Sequence, residues 1–239
     1  MWSGPRNIST AMMRAFENRP DCSVADEPLY GAWLEMSGED HPMREEVIAA
    51  TETNWRKVTE ALTGPVPASR PVWYQKHMTH HLLPEMVQRD WLSKLVHVFL
   101  IRDPVAVIAS YLQKRDTVSA EEIGVPQQWA LYRFVTEELG QQAPVIDSGE
   151  FLCNPEVHLR ALCEWLEIEF LPEMLAWPPG PRDTDGPWAP HWYQSVWKST
   201  GFGPPSAKVP ELKGRARDVA SCCRPVYERL REHRLRVGA

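Results

Sequence analysis

The chain has 239 residues, 43% of them hydrophobic, and a formal net charge of −6. That length is read as one domain with a substantial core, and the acidic balance argues against broad nucleic-acid binding. No apolar run reaches transmembrane length, no signal-peptide pattern follows Met1, and five cysteines lack zinc spacing. Reduced thiols in a cytoplasmic protein are therefore expected, with no membrane partner.

In chain order, the first predicted element is a helix over 8–18, with Ile8, Met12, Ala15 and Phe16 on one face. Strands are predicted over 22–25 and 72–76, with one helix over 44–62 between them. A helix over 84–91 precedes a nearly continuous apolar run, Lys94 to Ile101, which reads as a strand buried on both faces. Helices over 104–114 and 127–139, a strand over 144–147 and a helix over 156–166 follow. Alternating strands and helices predict an α/β class with a mainly parallel sheet flanked by helices. The Pro-, Gly- and Trp-rich stretch from Trp177 to Pro210 is too long for an ordinary connection and reads as a functional loop or lid. Trp188, Trp192 and Trp197 are candidates for a substrate mouth within it. A final helix over 215–234 places Val219, Cys222, Val226, Tyr227 and Leu230 on one face and leaves its arginines to solvent.

Two segments carry chemistry. In Trp2-Ser3-Gly4-Pro5-Arg6-Asn7-Ile8-Ser9-Thr10, a Gly-Pro turn leads through a cation into a helix start. Free backbone N–H groups, the positive end of the helix dipole, Arg6 and the hydroxyls of Ser9 and Thr10 together make a phosphate cradle. In the second segment, a strand runs into Arg102-Asp103-Pro104. Asp103 suits an N-cap and Pro104 a first helical residue. Arg102 then stands at the carboxyl end of a strand, where open α/β sheets bind ligands, with Ser110 two turns along the next helix.

Together these segments resemble the sulfotransferase superfamily, whose members use 3′-phosphoadenosine 5′-phosphosulfate (PAPS). Pro5-Arg6-Asn7-Ile8-Ser9-Thr10 is similar to that family's phosphosulfate loop. Arg102-Asp103-Pro104 with Ser110 matches its 3′-phosphate motif without a break, and Asp26-Glu27-Pro28-Leu29-Tyr30 resembles the Glu-Pro-Leu element of carbohydrate sulfotransferases. A weaker likeness runs from Ile146 to Leu166, so the resemblance covers about residues 2 to 170. It implies a single sulfotransferase-like domain over 1–239 of P-loop NTPase-like architecture. PAPS is then the co-substrate, no metal is required, and a small-molecule hydroxyl or amine is the acceptor. The nucleotide residues it implies are Arg6, Asn7, Ile8, Ser9, Thr10, Arg102 and Ser110. Lys198 and Gly201 of Trp197-Lys198-Ser199-Thr200-Gly201-Phe202 are candidates for the family's late 3′-phosphate loop, and a plain surface loop is an equal reading.

There are departures from that pattern. Ile8 stands where the family has glycine, so the backbone there is expected to avoid a glycine-type conformation. Only Met1 and Trp2 precede Ser3, so the strand feeding the loop is expected to be a stub or to begin upstream.

Sulfuryl transfer needs cations near the leaving oxygen and a base for the acceptor proton. Arg6 is the first cation and Lys76, at a strand end, the second. Glu27 follows a strand and matches the family's base position. The run Lys76-His77-Met78-Thr79-His80-His81 offers His80 as the rival base, and a zinc site is a weak further reading of its histidines. Two other function classes stay open. A P-loop kinase or nucleoside triphosphatase lacks its Gly-x4-Gly-Lys-Ser/Thr here, and a degenerate non-catalytic binder of the same fold remains.

Overall fold

A computed structural model describes residues 1–205 and 210–238. Its elements run β1 Trp2–Ser3, α1 Ser9–Glu17, β2 Cys22–Asp26, α2 Tyr30–Ser37, α3 Arg44–Ala50, α4 Trp55–Leu62 and β3 Val72–Met78. Then come β4 Phe99–Ile101, α5 Pro104–Tyr111, α6 Val125–Arg133, β5 Val145–Asp147, α7 Ser148–Cys153 and α8 Pro155–Trp165. α9 Ala189–Trp192, α10 Gln194–Trp197 and α11 Gly214–Glu232 complete it. The strand pairs β1–β4, β4–β5 and β2–β3 are all parallel, which confirms the α/β class. No helix among the described residues is long and apolar enough to cross a membrane.

The chain divides into two compact units. The first comprises Met1–Ser9, Val96–Phe170 and Gly203–Ala239, and the second Thr10–Leu95 and Leu171–Phe202. In the first unit β4 lies between β1 and β5, and every residue of β4 and β5 is buried. That is the pattern of a parallel strand covered on both faces. Val107, Ile108 and Tyr111 of α5 form a core with Ala220 and Cys223 of α11. In the second unit the β2–β3 register sets Asp26 beside Lys76 at the carboxyl end of both strands. A core of Tyr30, Trp33, Leu34, Val47, Trp188, Ala189 and Tyr193 packs within it.

Several sequence expectations are corrected. The helix expected over 44–62 is two helices. Thr51 takes an extended backbone, and Asn54 caps α4 by accepting from the Arg56 N–H at 3.1 Å. The break brings Thr51 against α2, where a Cβ on Gly31 would stand 2.0 Å from the Thr51 hydroxyl. No helix forms over 84–91; a 3-10 turn covers Asp90–Lys94 instead. The strand expected from Lys94 shrinks to three residues, because its pairing on both sides begins at Phe99. The helix expected over 127–139 starts at Val125 and widens into a π turn over Phe134–Glu138. α2 was not expected at all.

On α11 the buried residues are Ala220, Cys223 and Leu230, while Cys222 is exposed. Its arginines are not simply solvated. Arg224 holds Asp103 through two bonds of 2.7 and 2.9 Å, and Arg231, joined by Arg234 just past the helix end, holds Glu150. The described part of the expected lid, 177–205, is substantially packed: Trp177 and Trp188 are buried, and Ala176 bridges Gly201. Trp188 therefore lines no mouth. Residues 206–209 of that expected lid lie outside the described residues.

Candidate functional site

In the first unit the loop after β1 winds tightly. Gly4 is obligatory there, since a Cβ would stand 2.2 Å from the Ile123 carbonyl oxygen. Arg6 and Ile8 both take positive φ, 61° and 57°. The expectation that Ile8 would avoid this region is thus overturned. A β-branched residue held in a left-handed conformation costs about 1–3 kcal/mol, which the surrounding contacts must offset. One such contact comes from the strand: Arg102, just past β4, donates through Nη1 to the Arg6 carbonyl at 2.7 Å. Asn7 is buried and donates through Nδ2 to the Leu100 carbonyl at 3.0 Å, so that hydrogen faces the strand. Its Oδ1 is buried with no hydrogen-bond partner among the described residues. Ser9 opens α1 and is buried; Thr10 follows it.

The Arg6 guanidinium donates through Nε to the Ser110 hydroxyl at 2.9 Å. Arg6 is thus joined to Arg102, 96 residues away in sequence, and to Ser110, 104 residues away. Burial lowers the proton affinity of both guanidiniums, and for Arg102 the Arg6 charge lowers it further while Asp103 partly restores it. Asp103 is already engaged: it caps α5 through the Val105 N–H at 2.8 Å and carries the Arg224 fork. Among the described residues neither Arg6 nor Arg102 forms an ion pair with a carboxylate. Two partly buried cations with no ion pair among the described residues, at a loop leading into a helix start, fit a phosphate- or sulfate-bearing ligand.

The second unit holds a different cluster. Lys76 ends its three ammonium bonds on Asp26 Oδ1 at 2.8 Å, Glu27 Oε1 at 2.6 Å and Tyr193 Oη. Lys76 and Asp26 are each 1% exposed and Glu27 is 11% exposed. Tyr193 donates to the Asp26 carboxylate at 2.8 Å and accepts from Trp188 Nε1 at 3.0 Å. The Gly186 N–H adds a bond to Asp26 Oδ2 at 3.2 Å. Glu27 itself has φ 42°, with its N–H bonded to the Lys76 carbonyl at 2.9 Å. Burial raises the Glu27 carboxyl above the usual carboxylate range, Lys76 pulls it down, and Asp26 raises it again. Burial lowers Lys76, but its two carboxylates outweigh that and raise it above the ordinary lysine value. Tyr193 is pushed far up by burial and by both carboxylates, so it stays a phenol.

His80 and His81 follow β3 in a 3-10 turn. Their rings pack on Trp33 at 5.2 and 4.9 Å and on each other at 4.4 Å. Burial pushes His80 down to about 3, and His81 lies well below its ordinary value for the same reason. An imidazole so depressed is a weak proton acceptor at neutral pH. Among the described residues no group of three or more His, Cys, Asp or Glu is placed to hold a metal ion. Lys198 caps α10 and is exposed, and Gly201 fits a close contact, its would-be Cβ lying 2.9 Å from the Leu175 carbonyl. That contact accounts for the glycine without a ligand. Tyr193 was missed in the sequence, because no motif surrounds it. Asp26 appeared only as a neighbour of Glu27, although its place at a strand end beside Lys76 was a usable signal.

The class these features define is a parallel α/β domain with an anion-receptive loop at a helix start. The chain belongs to the sulfotransferase-domain family, whose model matches residues 1–234. It is 36% and 34% identical to branched-chain-amino-acid aminotransferase-like proteins 1 and 2 of Arabidopsis thaliana, over 97% of its own length. It spans only 41% of each of those relatives. Two solved structures share its fold. The sulfotransferase domain from the curacin biosynthetic pathway has a TM-score of 0.52 at 17% identity, covering 92% of this chain and 95% of that one. The sulfotransferase domain from the Synechococcus PCC 7002 olefin synthase has 0.51 at 14%, covering 92% of each.

Proposed function

We propose that the chain transfers a sulfuryl group from PAPS to a hydroxyl or amine of a small-molecule acceptor, without a metal ion. The observation that carries this reading is the pair Arg6 and Arg102, two partly buried guanidiniums with no ion pair among the described residues, joined through Arg6 to the Ser110 hydroxyl. Ser110 accepts from Arg6, so its own hydrogen is available to an anion. Arg6, Arg102 and Ser110, with Ser9, Thr10 and the backbone at Asn7 and Ile8, hold the phosphate groups. Lys198 and Gly201 remain candidates for a late phosphate contact.

In the transfer, the bond from sulfur to the acceptor atom forms as the bond to the departing phosphate oxygen breaks. The charge left on the nucleotide falls to the cations, and the acceptor proton goes to a base. Glu27 suits the base role better than His80, because its carboxyl is raised toward neutral pH while the His80 imidazole is depressed to about 3. Lys76 has all three ammonium bonds committed, so its first task is to hold Glu27. The raised proton affinity of Lys76 also works against the free amine that Schiff-base chemistry needs.

The test is transfer of labelled sulfate from PAPS across alcohols, phenols, amines and sugars, beside a direct PAPS-binding measurement. Binding with transfer supports the reading, binding without transfer to any acceptor identifies a non-catalytic binder, and no binding removes it.

A further inference from the structure

The cluster in the second unit holds two carboxylates against one ammonium, so it has one negative charge in excess. The two carboxylates are not equivalent. Three donors converge on Asp26: Lys76 Nζ, Tyr193 Oη and the Gly186 N–H. Glu27 has one close donor, Lys76 at 2.6 Å, and a long contact of 3.4 Å from Tyr193. Burial and a neighbouring carboxylate disfavour a carboxylate's charged form and hydrogen bonds favour it, so Glu27, with fewer donors and Asp26 beside it, is raised. Glu27 is also the more exposed of the two, at 11% against 1%, so it is the one a proton can reach.

We infer that Asp26 and Tyr193 are positioning residues whose contacts make Glu27 the carboxyl that takes up and releases a proton. The inference deepens the base role proposed for Glu27. Tyr193 anchors the arrangement from both sides, receiving from Lys76 and Trp188 and donating to Asp26. The groups that bear on Glu27 are Asp26 on β2, Lys76 on β3 and Tyr193 between α9 and α10. Beyond them, His81 lies within electrostatic reach of Lys76, and burial holds its ring neutral.

The roles predict shifts of opposite sign. Asp26→Asn removes the like charge beside Glu27, so the Glu27 carboxyl should release its proton at lower pH. Tyr193→Phe removes a donor to the cluster, so Glu27 should release its proton at higher pH. A structural defect alone does not produce opposite shifts.

The experiment is a pH titration of the folded protein carrying glutamate labelled with ¹³C at the side-chain carboxyl. One carboxyl signal should titrate above the usual carboxylate range and be absent from Glu27→Gln. Its midpoint should fall by about one pH unit or more in Asp26→Asn and rise by a smaller amount in Tyr193→Phe. An unchanged midpoint in either variant, shifts of the same sign, or a high signal that survives Glu27→Gln overturns the inference. If Asp26→Asn does not fold, Tyr193→Phe with Glu27→Gln still decides it. The titration needs neither PAPS nor an acceptor. If its order holds and no acceptor is ever sulfated, the proton assignment stands and the proposed function falls.

Discussion

The two units keep their charges in opposite ways. In the first, Arg6 and Arg102 stand close together with no ion pair among the described residues, while the nearby Asp103 is engaged by Arg224. In the second, Lys76 is surrounded by Asp26, Glu27 and Tyr193 until every ammonium hydrogen is used. An uncompensated buried charge is costly and is kept where a ligand supplies the counter-charge. In the proposed function the first arrangement serves anion binding and the second, with one surplus carboxylate, serves proton transfer.

The largest expected effect tests the second cluster. Glu27→Gln keeps the shape and removes the proton acceptor, so single-turnover transfer should fall by about 10²-fold or more, with PAPS affinity little changed. In the unmodified protein, turnover should decline as pH falls through the raised value of Glu27, because the protonated form is no base. If His80→Ala lowers turnover more than Glu27→Gln does, the acid–base assignment moves to the imidazole.

A second effect concerns stability. His80 is depressed to about 3 in the fold, against about 6.5 when unfolded. The unfolded chain therefore binds a proton there first as pH falls. The stability His80 contributes is intact above about pH 6.5 and is lost as pH drops toward 3. Between pH 7 and pH 5 this one group should cost about 1–2 kcal/mol. Urea unfolding at the two pH values measures it, and His80→Phe should flatten the difference. An equally steep difference in that variant would place the acid sensitivity elsewhere.

The first cluster gives the next effect. Arg102→Ala should weaken binding of the nucleotide product, 3′-phosphoadenosine 5′-phosphate, by at least about tenfold, the loss of one hydrogen bond to a charged group. Adenosine 5′-phosphosulfate, which has no 3′-phosphate, should weaken much less. Equal losses by calorimetry would mean that Arg102 supports the loop through the Arg6 carbonyl and does not read the 3′-phosphate. The smallest expected effect is none: transfer should survive EDTA. Loss with EDTA and recovery with zinc would show that the cations of the first cluster do not suffice.

What the sequence disclosed follows the reach of each signal. The Asp103 cap with Pro104 behind it fixed the start of α5, because capping is a local matter of two or three residues. The strands expected over 22–25 and 72–76 were legible, and each runs one or two residues further. The break between α3 and α4 was carried by Thr51 and Asn54, both good at leaving or starting a helix, and was masked by apolar periodicity on either side. The length of β4 was not legible, since an apolar run does not reveal where its partners begin. In the candidate site, Arg6, Arg102 and Ser110 were recognisable singly, but the bond between Arg6 and Ser110 was not. Tyr193 was invisible, because its role rests wholly on residues far away in sequence.

That separation has a kinetic consequence. The Tyr193–Asp26 bond closes 167 residues of chain, and Arg14–Asp185 closes 171. On the ribosome, β2 and β3 emerge long before the segment that completes their polar interior. Until Tyr193 emerges, Asp26, Glu27 and Lys76 lack the phenol that bonds to them, and the nascent second unit has to wait. Contacts of such long range slow folding, because loop closure must precede any gain from them. This domain should therefore acquire its acid–base cluster late, in one of the last steps of its assembly.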